Sequence, residues 1–240
     1  MMTLTGCTTK SDEPDSPAAT TAAPAPASTD PVAIFKAAVA KTNQNTMTFT
    51  IDTDLGTLGS QKGSGAADPR KKSTGYHGEL LTADRKVEID AILVGQDLYL
   101  KVTGLTTDRW AHVDMTKIKS LARLGLDPTG NPTGLGSLSD EIVSVRQTAP
   151  GSFSGTLDRT KSPLLSGTDA ADALKSVPFE AKVNSQGYVT SLVTHTPPVG
   201  TAPAATSTTQ LAAFAQPITI DRPDSAEVEQ ATDAVYQALQ

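Results

Sequence analysis

The chain has 240 residues, a net charge of −6 and a single cysteine. The acidic balance argues against a nucleic-acid partner, because phosphate binding needs clustered Lys and Arg. The one basic cluster, Arg70-Lys71-Lys72, is too small for such a footprint and is predicted to be a solvated hairpin tip. The lone cysteine excludes an internal disulfide and a zinc-finger framework. No apolar run of eighteen residues occurs, so the sequence predicts no membrane-spanning helix.

The single cysteine lies in a short motif, Leu4-Thr5-Gly6-Cys7, in which small residues precede the thiol. This motif resembles the lipobox of bacterial lipoproteins, whose cysteine is diacylated and becomes the mature N-terminus. Residues 1–3 supply neither the charged nor the apolar region of a signal peptide, so residues 1–7 are predicted to be its remainder. The resemblance implies a lipid anchor at Cys7 and an extracytoplasmic location on the outer face of the cell membrane. The alternative is a chance match beside a free thiol.

Residues 8–29 consist mainly of Ala, Pro, Thr, Ser and Asp and carry no large apolar side chain. Such a segment cannot bury enough surface to offset its ordering entropy, and its prolines favour an extended conformation of about 3.1 Å per residue. We therefore expect a disordered tether over residues 8–29, a lipoprotein domain over residues 30–222 and a C-terminal helix over residues 223–240.

The domain is predicted to begin with a helix, because Asp30 is a suitable N-cap and Pro31 suits the first helical position. Its apolar face recurs at helical spacing: Val32, Phe35, Val39 and Thr42. From Met47 the period changes to two, which is typical of antiparallel strands with one solvated face. The strands predicted in the first half are Met47–Leu55, Ser60–Ala67, Thr74–Leu81, a strand around Lys86–Ala91, and Leu98–Val102.

The second half combines inserted helices with a further run of strands. Helices are predicted at Met115–Leu124, Leu135–Ile142 and Asp169–Lys175, with a turn-rich loop at Asp127–Gly134 and an exposed loop at Pro197–Ser207. Strands are predicted at Val143–Gln147, Gly151–Asp158, Phe179–Asn184, Gly187–His195 and Gln210–Phe214. The closing helix begins at Ser225 and carries Val228, Ala231, Val235 and Leu239 on one side. Runs of strands with inserted helices indicate an α+β fold with an antiparallel sheet long enough to curl.

No catalytic constellation can be assembled from the sequence. His77, His112 and His195 lie in separate segments without metal-ligand spacing, and the segment Gly151–Gly155 has Phe153 where a nucleophile elbow needs its serine. Acidic residues such as Glu88 alternate with apolar ones, as on a solvated strand face. The sequence therefore predicts no enzyme, no metal site and no cofactor.

The order of these elements resembles the LppX/LprA/LprF/LprG family of actinobacterial lipoproteins, of the mycobacterial type. The resemblance covers roughly Cys7 to His195 and depends on the order of several short motifs. They are the lipobox and tether, a helix ending near Lys41-Thr42-Asn43, the strand Met47–Ile51, the hairpin Gly95–Lys101, Trp110, and the loop with Asp127-Pro128-Thr129-Gly130 and Gly134-Leu135.

The resemblance implies a strongly curved antiparallel sheet, a half-barrel, with helices packed on its concave side around an apolar cavity. It implies that the protein binds acylated lipids or lipoglycans there and assists their transport across the cell envelope. Burial of acyl tails would provide about 25 cal/mol per Å² removed from water. The candidate lining residues are Phe35, Val39, Phe49, Ile51, Val87, Ile89 and Ala91.

Two hypotheses follow from these patterns. In the first, the protein is a lipid carrier with an enclosed cavity. In the second, it is a non-catalytic envelope scaffold or sensor whose protein partners bind its sheet edge or C-terminal helix. The same seven apolar residues would occupy a filled core in the second case, and alternation does not distinguish a hollow core from a filled one.

Overall fold

The computed structural model describes residues 29–118, 121, 125–126, 131–162 and 172–239. Cys7 and nearly all of the tether lie outside the described residues. So do half of the loop predicted at Asp127–Gly134 and parts of the helices predicted at Met115–Leu124 and Asp169–Lys175.

Helix α1, Pro31–Asn43, begins and ends where the sequence predicts. The Asp30 side chain accepts a hydrogen bond of 3.0 Å from the Val32 amide and so caps the first turn. The buried face comprises Phe35, Ala38, Val39 and Thr42.

One sheet of twelve strands forms the body of the described chain, in the order β12-β6-β5-β4-β3-β2-β1-β11-β10-β9-β8-β7. All neighbouring strands are antiparallel except β12, which pairs with β6 in parallel. The strands are β1 Met47–Asp54, β2 Ser60–Asp68, β3 Ser73–Leu81, β4 Lys86–Val94, β5 Asp97–Val102, β6 Trp110–Asp114, β7 Ile142–Ala149, β8 Ser152–Leu157, β9 Val177–Val183, β10 Val189–Thr196, β11 Ala205–Ala212 and β12 Val228–Gln230.

The antiparallel order gives the sheet two distinct ends. At one, the β2–β3 turn carries Arg70, Lys71 and Lys72, and we call this the basic end. At the other, which we call the opposite end, β1 finishes at Asp54 and β3 finishes at Leu81. The C-terminal part of helix α1 lies at the basic end, where the Lys41 Nζ donates a hydrogen bond to the Gln186 carbonyl beyond β9.

The sheet curls around a core on its concave side, which confirms the predicted α+β half-barrel. Phe35 of α1 packs between Phe153 and Phe179 of the sheet, with ring centroids 5.4 Å from each. Helix α2, Leu135–Glu141, packs on α1 and buries Leu135 and Leu138.

Two predicted helices differ from the structure. Met115–Lys117 forms only a single 3-10 turn, and Ile118 is extended at φ −109°, so no continuous helix covers Met115–Leu124. The C-terminal helix over residues 223–240 is also wrong: Ser225–Glu227 is a 3-10 turn, β12 follows, and helix α3 spans only Asp233–Ala238. Helical spacing alone suggested one helix. Asp224 and Thr232 each cap a separate turn, however, and the backbone between them pairs with β6.

The exposed loop predicted at Pro197–Ser207 is shorter than expected, because β11 already begins at Ala205. Beyond β11 the chain crosses the convex side of the sheet to reach β12. Along this crossing Ile220 faces Gly75, and the Arg222 guanidinium bonds to the Asp97 carboxylate at 2.6 Å.

Candidate functional site

The seven predicted lining residues all lie on the concave side, in two different environments. Five of them are buried in one continuous core: Phe35, Val39, Phe49, Ile51 and Ala91. Val87 and Ile89 are only half-buried, near the opposite end of β4. The seven residues therefore share the concave side, and only Val87 and Ile89, near the opposite end, remain partly accessible to solvent.

Strand β4 carries an unbroken apolar row on its concave face. Val87, Ile89, Ala91 and Leu93 alternate with outward-facing residues, and we call these four the β4 track. Neighbouring β5 presents Leu98, Leu100 and Val102 on the same face, paired with members of the row. The track is buried at Ala91 and Leu93 and half-exposed at Ile89 and Val87.

A half-enclosed cavity of about 360 Å³ lies at the basic end of the track. Its wall is mainly apolar, with a polar margin, and the described residues that line it are Asn43, Pro69, Lys72, Leu93, Gly95, Met115, Leu121, Asn131 and Gly136. The Asn43 side chain is held in place by its Nδ2 atom, which donates a hydrogen bond of 2.7 Å to the Leu135 carbonyl. Its Oδ1 is buried and accepts no hydrogen bond from any described residue. The cavity is thus a site where an apolar ligand can be buried beside polar groups.

Tyr76 forms the wall beside the middle of the track, where it pairs with Ala91. Its ring lies flat against two glycines: a Cβ atom on Gly63 would come within 2.6 Å of the ring, and one on Gly78 within 2.3 Å of the hydroxyl. Burial raises the pKa of the Tyr76 phenol, which is therefore neutral at physiological pH. Because glycine occupies both positions, the Tyr76 ring can lie this close to the strand backbone.

The charged side chains of β3 and β4 face outward instead. His77 Nδ1 lies 2.7 Å from Asp90 Oδ1, and Lys86 Nζ bridges Glu79 and Glu88 at 2.7 Å each. The hydrogen bond to Asp90 raises the pKa of His77, and the bond to Lys86 lowers the pKa of Glu79. These residues form a solvated ion-pair network, as the alternation predicts.

The other histidines are also on the convex side. His112 stacks on Tyr99 with centroids 4.9 Å apart and contacts Asp97 at 3.2 Å, while His195 lies 3.4 Å from the Thr206 hydroxyl. The Arg222 guanidinium holds the pKa of the Asp97 carboxyl below its usual range. Within the described part of the chain, no three His, Cys, Asp or Glu side chains are grouped as metal ligands would be.

Sequence reasoning missed the residues at the cavity itself. None of the seven predicted residues lines it. Leu93 is the next inward position after Ala91 in the alternation, and Asn43 lies one helical turn beyond Val39, so extending either pattern would have found them. Met115 and Leu121 carry no such signal, because they follow β6 in a single 3-10 turn and in the segment after it, where no strand or helix pattern continues.

Comparison with known proteins gives a structural likeness at low sequence identity. No protein-family profile matches the chain, and no curated protein matches it either. Among solved structures, a LolA superfamily protein from Nitrosomonas europaea is similar at 9% identity and a TM-score of 0.31, over 84% of this chain and 99% of that one. A likeness at this level establishes neither a family nor a function for this chain.

None of the helices in the described ranges has the length and apolar character needed to cross a bilayer.

Proposed function

We propose that the chain is a non-catalytic cell-envelope lipoprotein that binds an acylated lipid or lipoglycan on the concave side of its half-barrel and assists its transport. In this proposal Cys7 is the acylated anchor and the domain is extracytoplasmic. The sequence resemblance to the LppX/LprA/LprF/LprG lipoproteins supports the anchor and the location.

One structural observation carries the proposal: the β4 track leads from half-exposed Val87 to the cavity beside Leu93. A nine-residue strand is about 30 Å long, comparable to the hydrocarbon thickness of a bilayer. An acyl chain would exchange water for aliphatic side chains at half-exposed Val87 and Ile89 and in the cavity beside Leu93. At about 25 cal/mol per Å², that burial is the main source of affinity.

The polar margin of the cavity suits a headgroup. The Lys72 side chain provides a cation beside an anionic group, and the Asn43 Oδ1 atom provides an acceptor for a hydroxyl or amide donor. A ligand with an acyl tail and a headgroup that is anionic or donates hydrogen bonds would therefore match the apolar wall and the polar margin of the cavity.

The test compares two substitutions on the same strand. Ile89 lies on the concave face and Ile92 on the convex face, and both are half-buried. In titrations of the full chain with a fluorescent long-chain acyl probe, Ile89→Asn is expected to weaken binding about tenfold or more, since it places an amide in the track. Ile92→Asn should leave the affinity within about twofold of the parent. Equal effects of the two substitutions would contradict binding on the concave face.

A further inference from the structure

The β2–β3 turn brings three cations to the edge of the cavity at the basic end. Pro69 and Lys72 line the cavity. Arg70 and Lys71 lie between them in the same turn, and both are exposed. The Gly95 amide donates a 3.0 Å hydrogen bond to the Lys72 carbonyl, which joins this turn to the β4–β5 turn on the cavity wall. Three cations are too few for a nucleic-acid footprint, but they suffice for a single anionic group.

Two of these three cations lack an ion-pair partner among the described residues. The Asp68 carboxylate belongs to the turn itself, because its Oδ1 accepts from the Arg70 and Lys71 amides at 3.2 and 3.4 Å. Its Oδ2 lies 3.8 Å from Lys71 Nζ. The ion pairs within the described ranges include neither Arg70 nor Lys72. The turn therefore carries an excess of positive charge.

Two further carboxylates at the basic end already have cationic partners. Asp97, at the start of β5, lies 2.6 Å from the Arg222 guanidinium. Asp114, at the end of β6, lies 3.9 Å from Lys117 Nζ. Neither carboxylate lines the cavity. They therefore leave the positive charge beside the cavity uncompensated.

Lys72 is the one charged residue among the described residues that line the cavity. It is exposed, so it lies at the mouth of the cavity. A cation beside an apolar wall is less screened than one in open water, and an anion bound next to it interacts with it more strongly. No acidic side chain of the described lining competes for that position.

The backbone of Lys72 is also unusual. Its φ is +50°, in the left-handed region where glycine is the favoured residue. A side chain at such a position costs stability, and residues of this kind cluster at ligand-binding sites. The conformation therefore marks the Lys72 side chain as a candidate functional group, independently of its charge.

We propose that the cavity selects lipids with an anionic headgroup, such as a phosphate, and that Lys72 recognises this group. The inference rests on the proposed function and narrows its ligand from acylated lipids in general to acidic ones. The acyl tail lies against Leu93, Met115 and Leu121, and the headgroup lies beside Lys72 at the mouth. Lysine binds phosphate as a point charge, and hydrogen bonds between ionised groups are the stronger class.

The test compares two lipids that differ only in a phosphate. Oleoyl lysophosphatidic acid and 1-monooleoylglycerol share their tail and their glycerol. Each is used, below its aggregation concentration, to displace a fluorescent acyl probe from the full chain, in which Cys7→Ser removes the covalent anchor. We expect this parent to bind the phosphate-bearing lipid about tenfold or more tightly than the neutral one. The preference should fall in about 0.5 M salt, because Lys72 is exposed.

Substitutions of single lysines identify the group that reads the charge. Lys72→Gln is expected to reduce the preference to within about threefold, with little change in the affinity for the neutral lipid. Lys62→Gln is the matched control, because it removes one positive charge from an exposed position on the convex face, in register with Glu79. Lys62→Gln and Lys72→Arg should both keep the preference. A preference that survives Lys72→Gln would overturn the role of Lys72.

A second variant separates lost recognition from lost folding. Because Lys72 has φ +50°, Lys72→Gly should leave the midpoint of thermal unfolding unchanged or raise it. The same variant should lose the preference for the phosphate-bearing lipid. A lowered midpoint with an intact preference would show that the side chain is structural and would overturn its role in recognition.

Three results distinguish failure of this inference from failure of the proposed function. Equal binding of the two lipids by the parent would overturn the inference and leave the proposed lipid binding in place. Glycerol 3-phosphate, the same headgroup without a tail, should bind about a hundredfold or more weakly than the lysolipid. Equally tight binding of glycerol 3-phosphate would assign the site to free phosphate compounds. A parent that binds neither lipid nor the acyl probe would contradict the proposed function itself.

Discussion

At the C-terminal end of α1, Thr42 joins the helix to the sheet through one buried hydroxyl. Its Oγ1 donates to the Ala38 carbonyl at 2.8 Å and accepts from the Val189 amide at 2.9 Å. Val189 begins β10 next to a register shift against β9, so its amide depends on this side chain.

We expect Thr42→Val to lower the free energy of unfolding by about 1–3 kcal/mol, because a buried amide then lacks an acceptor. Urea denaturation followed by circular dichroism measures the change. Thr50→Val on the exposed face of β1 is the control and should remain within about 0.5 kcal/mol. A Thr42→Val variant as stable as the control would show that the Val189 amide finds another partner.

A buried ion pair joins α2 to the segment after β8. Glu141 is fully buried, and its carboxylate accepts hydrogen bonds of 2.7 Å from Arg159 and 2.6 Å from the Ser137 hydroxyl. Arg159→Met leaves this carboxylate buried without its cation and should destabilise the chain by about 3–5 kcal/mol. Lys175→Met breaks an exposed pair with Asp172 and should cost less than about 1 kcal/mol. Equal thermal shifts of the two variants would argue against a structural role for the buried pair.

The stability that His77 contributes on the convex face is expected to depend on pH. Its hydrogen bond to Asp90 raises its pKa in the folded state, so its stabilising contribution is present below the unfolded pKa of about 6.5 and is lost as the pH rises through the folded pKa. In an NMR titration the imidazole should have a pKa above that of a model histidine, and Asp90→Asn should lower it. Asp172→Asn, in the exposed turn that leads into β9, five strands along the sheet from β3, should not.

The C-terminal segment is an integral part of the domain. β12 covers the edge of β6, the Tyr236 hydroxyl accepts a 3.0 Å hydrogen bond from the Asp114 amide, and Val235 and Leu239 enter the core. We therefore expect Leu239→Ala to destabilise the chain by about 2–5 kcal/mol, while Gln237→Ala on the exposed side stays near zero. Calorimetric unfolding measures both. An unchanged midpoint for Leu239→Ala would mean that α3 does not contribute to the core.

Most strands and the helices α1 and α2 could be predicted because the sequence signals that specify them are local. Capping by Asp30 and the alternation along β4 each depend on neighbours a few residues apart. The prediction for the C-terminal region was wrong because its conformation depends on the distant strand β6, 118 positions away in register. A three-residue parallel pairing of this kind leaves no periodic pattern in the sequence.

The candidate site was predictable only in part for a similar reason. Alternation assigns Val87, Ile89 and Ala91 to one face, and the family resemblance assigns that face to the interior. Whether such a face is covered depends on how far the sheet curls and which segments cross it. The difference between buried Ala91 and half-exposed Val87 is a property of the whole half-barrel.

The whole molecule is asymmetric from end to end. A polar cavity margin with Asn43 and Lys72 lies at the basic end, half-exposed Val87 lies at the other, and one apolar row on β4 runs between them. Such a gradient suits an amphiphile, whose headgroup and tail need different surroundings.

The most direct measurement of the central proposal is native mass spectrometry of the full chain purified from bacterial membranes under mild conditions. We expect a stoichiometric mass increment above that of the acylated chain, which mild organic extraction removes and lipid analysis identifies as an acyl lipid or lipoglycan. The Ile89→Asn variant, prepared in parallel, should carry less of it. A parent protein that is lipid-free apart from its covalent anchor would contradict the proposed function.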